Sequence, residues 1–229
     1  MTKKPIIWIS IIRIFAVSLI FLFHFCKFYQ FPTYLIDFYG IGLFCFISGY
    51  LCYQKNVSPH IWLLRRIKSI FIPFWIVIIP ALILNHIVGY KESSLINDWI
   101  VFIGGAWFLS DPVYVISWFI TLIMLFYFTI YIVQLNKNLV SHLVIIIIAA
   151  FVYYYWFPSR TIYYFALFIL GFLLRSLKKK SQGVRIFLKN IFSRNVGEKL
   201  FLLQNYSYSI FLIHGSFQLL FIIFWIAKE

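Results

Sequence analysis

The apolar runs in this chain are as long as a bilayer's hydrocarbon core is thick. Ile6 to Phe25 carries only one cation, Arg13, and Val113 to Leu135 carries no charge at all. Each reaches the roughly 20 residues that a helix needs to cross. Hydrocarbon offers the backbone no hydrogen-bond partners, so a spanning segment must satisfy its own amides as a helix. The rest of the sequence follows suit: 63% of the 229 residues are apolar and 11% are charged, against about a quarter charged in soluble domains. The expected fold is all-α, a polytopic transmembrane helical bundle in a single domain over residues 1–229. About seven spans are predicted, near 6–27, 36–53, 62–85, 112–135, 139–157, 160–177 and 201–226.

A formal charge of +14 would ordinarily suggest nucleic acid, but the placement of the charges excludes it. With these spans, 15 of the 20 Lys and Arg fall on one side of the membrane. Lys27, Lys91, Arg160 and Lys228 fall on the other, and Arg13 lies within the first span. That asymmetry is the positive-inside bias, which puts the N-terminus inside and the C-terminus outside. The first span resembles a secretory leader only in its basic start. Its apolar stretch exceeds the ~7–15 residues of a leader, and no small-residue cleavage site follows, so it is expected to be retained. Cys26, Cys45 and Cys52 form no pair or metal spacing and read as small apolar side chains.

Two connections are long. In 86–111 the apolar part, Trp99 to Leu109, is too short to span, and predicts a re-entrant or interfacial segment. In 178–199, Val184, Phe187, Leu188 and Ile191 recur at helical spacing among Arg185, Lys189 and Arg194, predicting an interfacial helix against anionic lipid. The second span repeats Gly42, Cys45, Gly49 and Cys52 on one face, a stripe suited to close helix packing. Pro73 and Pro80 are expected to bend the third span, as neighbouring helices permit.

Ionisable groups at membrane depth are costly and point to function. Arg13 lies about seven residues into the first span, and His24 follows eleven residues and roughly 16 Å later. Eleven residues at about 100° each bring the two side chains to the same face. An arginine part-way in suits the phosphate or carbonyl oxygens of a long anionic thioester donor. A histidine further out suits proton transfer from an attacking hydroxyl. Spacing alone leaves a second reading, with Arg13 snorkelling to headgroups and His24 at the interface.

Five stretches in order carry a resemblance. They are Arg13-x10-His24 within IIRIFAVSLIFLFHF, GIGLFCFISGYL from Gly40, LLRRIKSIFIPFW from Leu63, SWFITLIMLFYF from Ser117, and SYSIFLIHG from Ser207. Together they resemble membrane acyltransferase family 3, whose members move an acyl group, often acetyl, from cytoplasmic acyl-CoA to hydroxyls of surface glycans. The resemblance implies that Arg13 and His24 form the essential pair, catalytic in both cases, with Arg13 also binding the donor. The donor is acyl-CoA, acetyl-CoA foremost, with no resident cofactor or metal. The other expected partners are membrane lipid and a surface or lipid-linked glycan, and the expected location is the bacterial plasma membrane. Two departures stand out. Many members carry a glutamate where this chain has Ile123 or Met124, unless the alignment instead uses Trp107-Phe108-Leu109 with Asp111. Members also commonly have about ten spans.

Arg65 and Arg66, at the expected cytoplasmic end of the third span, are candidates for CoA phosphate, or for simple anchoring. Ser48, Tyr50, Trp118 and His214 are candidates for lining the site. His86 and Asp111 are placed on the outer side. The topology makes a direct prediction: in a cysteine-free background, an impermeant maleimide labels Lys91→Cys on intact cells and Lys137→Cys only after permeabilisation. Equal labelling of both would overturn it.

Overall fold

The computed structural model describes residues 7–33, 35–52, 57–89, 94–109, 117–136, 138–158 and 160–177. Among them every regular element is helical: α1 (Ile7–Phe28), α2 (Ile36–Cys52), α3 (Pro59–Val88), α4 (Leu95–Phe102), a 3₁₀ turn (Ala106–Phe108), α5 (Trp118–Leu135), α6 (Leu139–Trp156) and α7 (Arg160–Leu177). Helices α3, α5 and α6 are long and apolar enough to cross a membrane, and α2 is a shorter apolar helix. The expected span 201–226 and the amphipathic stretch 178–199 lie outside the described residues.

Local chemistry explains where the boundaries depart from the apolar runs. Helix α3 starts three residues before its expected span because Ser58 caps it and Pro59 opens it. Ser58 is extended and its hydroxyl accepts from the Ile61 N–H, while a proline at the first turn gives up no helical hydrogen bond. At the other end Gly89 takes the left-handed conformation, φ +68°, and its N–H donates to the Asn85 carbonyl, so the helix closes on a residue with no Cβ to strain. Between these caps α3 runs as one helix through Pro73 and Pro80. The described part of the expected span 112–135 is α5.

Two compact units divide the described residues: the first takes those up to 56 and from 149 on, and the second takes 57–148, so α6 is split at Ile148 and Ala149. In the first unit α2 lies between α1 and α7, and glycines set both contacts. A Cβ on Gly49 would clash with the Phe168 carbonyl oxygen, and one on Gly171 would clash with that of Phe46. The backbones of α2 and α7 therefore touch, which small residues alone permit. On the α1 side, Gly40 meets the Ala16 carbonyl and the Ile20 side chain, and Ile9 packs with Ile47 and Tyr50. The packing role expected of the small-residue stripe thus holds at Gly42, which meets Leu167, and at Gly49.

In the second unit residues 94–109 run back along α3. Asp98 meets His86, the Trp75 indole N–H donates to the Phe102 carbonyl at 3.0 Å, and Gly104 lies beside Phe71 and Ile120. From His86 to Phe71 is fifteen residues, about 22 Å of helix. The segment turns at Gly104, φ +81°, where glycine avoids the Cβ clash of that conformation. The Thr121 hydroxyl donates to the Gly104 carbonyl and accepts from the Trp107 N–H, so polar groups at the turn are met within the unit.

Helix α6 shows what surrounds the protein. Leu143, Ile147 and Phe151 are all more than half exposed. Water would penalise so continuous an apolar surface, whereas lipid solvates it.

The α2–α7 crossing predicts that Gly171→Ala is destabilising although it only adds a methyl group. A loss of about 1–3 kcal/mol is expected from overpacking, read as a lower melting temperature in detergent. An unchanged melting temperature would contradict the crossing.

Candidate functional site

Helix α1 buries one stripe. Ile9, Ala16, Val17 and Ile20 are all less than a tenth exposed. At about 100° per residue they occupy a face roughly 100° wide, and Arg13 and His24 fall inside it. Both side chains are half-buried, and neither lacks an interaction partner. The face that carries them is the face packed on α2, through Ala16 and Ile20 at Gly40. Arg13 therefore sits on the side of its helix that meets α2. The Phe23 ring stands edge-on to the His24 imidazole, centroids 5.1 Å apart.

Polar groups gather at both ends of this unit. At the C-terminal ends of α2 and α7, Arg175 Nη1 donates to the Tyr50 hydroxyl at 3.1 Å, and its guanidinium lies 5.1 Å from the Tyr50 ring centre. Tyr50 is buried, and it packs in a cluster joined by Ile12, the neighbour of Arg13. At the opposite end, where α2 and α7 begin, Arg160 Nη1 donates to Asp37 Oδ2 at 2.9 Å. The Phe38 ring stands 5.6 Å from that of Tyr164 and 6.0 Å from that of Tyr163. Ser48 is buried in the middle of α2, and its carbonyl accepts from the Cys52 thiol at 3.0 Å.

The second unit holds the other candidates. Arg65 is exposed, but Arg66 turns inward, 5.5 Å from the Tyr127 ring centre and 5.9 Å from that of Trp62. The structure thus separates two arginines that adjacency in sequence had grouped together. Trp118 opens α5 and meets Trp107 edge-on at 5.3 Å. Ile123 is fully buried in α5 and Met124 partly so, so the position where an acid was sought is apolar core. His86 Nε2 meets Asp98 Oδ2 at 2.6 Å, beside an apolar cleft of about 150 Å³ lined by Leu82, Leu95, Asp98, Trp99 and Phe102. His214 and Asp111 lie outside the described residues. Among those residues, no three His, Cys, Asp or Glu are grouped to hold a metal ion.

Sequence reasoning missed the pairs Asp37–Arg160 and Tyr50–Arg175, whose members lie 123 and 125 positions apart. It also missed Asp98. The available signal was weak: the expected topology puts Arg160 on the outer side, and Asp37 opens the second span from that same side, but nothing pairs them.

These features define a helical membrane protein with an arginine and a histidine set on a buried helix face. The family model Acyl_transf_3, described as an acyltransferase domain, matches residues 6–194, which is most of the chain. The chain belongs to acyltransferase family 3, the membrane acyltransferases. The matched range contains Arg13, His24, Ser48, Tyr50, Arg65, Arg66 and Trp118, and it ends before the SYSIFLIHG stretch. No curated protein and no solved structure matches the chain significantly.

The Tyr50–Arg175 contact gives a test of the unit's packing. Tyr50→Phe keeps the ring under the guanidinium and removes the hydroxyl, so a loss of about 1–2 kcal/mol is expected. Arg175→Leu removes both contacts and is expected to lose more, by thermal melting of the solubilised protein. Equal stability of all three proteins would show that the contact contributes nothing.

Proposed function

We propose that this protein is an O-acyltransferase of the bacterial plasma membrane. It takes an acyl group, acetyl foremost, from cytoplasmic acyl-CoA to a hydroxyl of an extracytoplasmic glycan. Family membership supports the reaction class. The observation that carries the site is the placement of Arg13 and His24 on the buried face of α1, about 16 Å apart along one unbroken helix.

In this reading about seven spans cross the membrane, with the N-terminus inside and the C-terminus outside. Arg13 is the nearer of the pair to the cytoplasm. Its fixed fork of N–H donors holds oxygens of the donor and marks how far the thioester arm enters. Arg65 and Arg66 offer charge to CoA phosphates, Arg65 being the more accessible. His24 stands near the outer end of α1 and takes the proton of the attacking hydroxyl. The hydroxyl oxygen then bonds to the acyl carbonyl carbon, the carbon–sulfur bond breaks, and the imidazolium returns its proton to the departing CoA thiolate. A covalent variant of the same step has His24 accept the acyl group first and pass it to the hydroxyl. A surface glycan or its lipid-linked precursor is the acceptor, and Ser48, Tyr50, Trp118 and His214 are the proposed lining.

The test uses the full chain in lipid nanodiscs with radiolabelled acetyl-CoA and isolated cell-surface glycan. His24→Ala is expected to lower kcat about 100-fold or more, the typical worth of a positioned base. Arg13→Gln is expected to weaken donor binding at least as strongly. Wild-type rates from a folded His24→Ala protein would refute the assignment.

A further inference from the structure

Asp37 and Arg160 meet at the end of the first unit where α2 and α7 begin, the outer end in the expected topology. His24 belongs to that same end. Ile20 of α1 packs against Gly40 of α2, and His24 lies one turn beyond Ile20 while Asp37 lies just under one turn before Gly40. The pair opens to the surroundings through Arg160, whose side chain is 53% exposed against 18% for Asp37. The carboxylate is unevenly satisfied. Its Oδ2 accepts from Arg160 Nη1 at 2.9 Å, while its Oδ1 is buried and has no hydrogen-bond partner. A buried carboxylate oxygen without a donor is expensive and calls for an explanation.

Aromatic rings adjoin the pair. Tyr163 and Tyr164 lie one turn further into α7 than Arg160, and Phe38, the neighbour of Asp37, packs against both. Tyr164 is buried, but Tyr163 is 59% exposed. The chemistry of this group selects among ligands. An anion would be repelled by Asp37 and has no proton to give Oδ1, and a cation would be repelled by Arg160. A neutral hydroxyl both donates and accepts, and a guanidinium carries five N–H donors. One hydroxyl can therefore serve Oδ1 while its neighbour accepts from Arg160. A sugar ring carries hydroxyls in such adjacent positions, and its C–H faces are apolar enough to lie on an aromatic ring.

We propose that Asp37, Arg160 and Tyr163 form a subsite for a neutral sugar residue of the acceptor. One sugar hydroxyl donates to Asp37 Oδ1 and an adjacent one accepts from Arg160, whose long side chain shifts to admit the ring. Tyr163 covers an apolar face of the sugar. The subsite stands at the end of the first unit that carries His24, so a bound acceptor brings its remaining hydroxyls to the level of proton transfer. These three residues bind the acceptor and take no part in bond making. The assignment rests on the acyltransferase reading, but binding itself can be measured without turnover.

The probe is the set of oligosaccharides released from the cells' own surface glycan and freed of ester groups by mild base. Saturation-transfer NMR follows their binding to the full chain in nanodiscs, without acetyl-CoA. Saturable binding is expected for wild type and for His24→Ala. It is expected to weaken about tenfold or more in Asp37→Asn, as losing a charged hydrogen-bond partner does, and about threefold or more in Tyr163→Ala. In the turnover assay the same two changes are expected to raise KM for the glycan by those factors, while KM for acetyl-CoA stays within about twofold. Tyr163 is exposed, so its variant keeps the test decisive should Asp37→Asn fail to accumulate. Wild-type glycan affinity in the variants would overturn the subsite and leave the acyltransferase reading standing. Equal loss of glycan and acetyl-CoA affinity would also overturn it, because the pair would then only hold α2 to α7. A wild type that acetylates the glycan yet shows no saturable binding of the oligosaccharides would mean that water alone meets Oδ1, again overturning the subsite. A wild type that neither binds nor acetylates any surface glycan would overturn the acyltransferase reading as well.

Discussion

Where Gly49 of α2 crosses Phe168 of α7 there is no room for a methyl group, and much of the first unit follows from that contact. Water provides no drive to press helices together inside a membrane, so close packing must come from van der Waals contact and from polar groups. Gly49 and Gly171 supply the first by letting two backbones touch. Asp37–Arg160 at one end of the two helices and Tyr50–Arg175 at the other supply the second. Helix α2 is thereby held along its length, and its other side is presented to α1.

That arrangement makes an arginine tolerable inside an apolar span. Arg13 lies among Ile9, Ala16 and Ile20 on the packed face of α1, not on the face turned away from the unit. The same face carries His24 about three turns further on. A rigid helix fixes the spacing between a residue suited to oxygen-rich anions and a residue suited to proton transfer. No loop motion or metal is needed to set that distance. The second unit meets its polar needs differently: the 94–109 segment turns back along α3, and side chains such as Trp75, Thr121 and His86 hydrogen-bond to it.

The sequence made the helices legible because hydrocarbon allows few other solutions. Six of the expected spans correspond to helices, and α7 matches its expected bounds of 160–177. The departures have local causes: Ser58 and Pro59 begin α3 early, and Gly89 ends it late. Arg13 and His24 were legible as a pair because both lie on one helix, where periodicity is informative. Partners on different helices were not. Nothing in the sequence joins Asp37 to Arg160 or Tyr50 to Arg175, since such pairs depend on how helices cross. Adjacency also did not distinguish Arg65 from Arg66, because successive residues on a helix point about 100° apart. Arg65 is exposed there, and Arg66 lies over the rings of Trp62 and Tyr127.

The central claim is that this helical frame transfers acyl groups to a glycan on the far side of the membrane. The most direct measurement is the acyl content of the purified surface glycan, by proton NMR, from cells lacking the gene and from the same cells with it restored. The account predicts an ester-acyl signal that is present only when the protein is present. Identical spectra from the two strains, across every surface glycan the cells make, would contradict it.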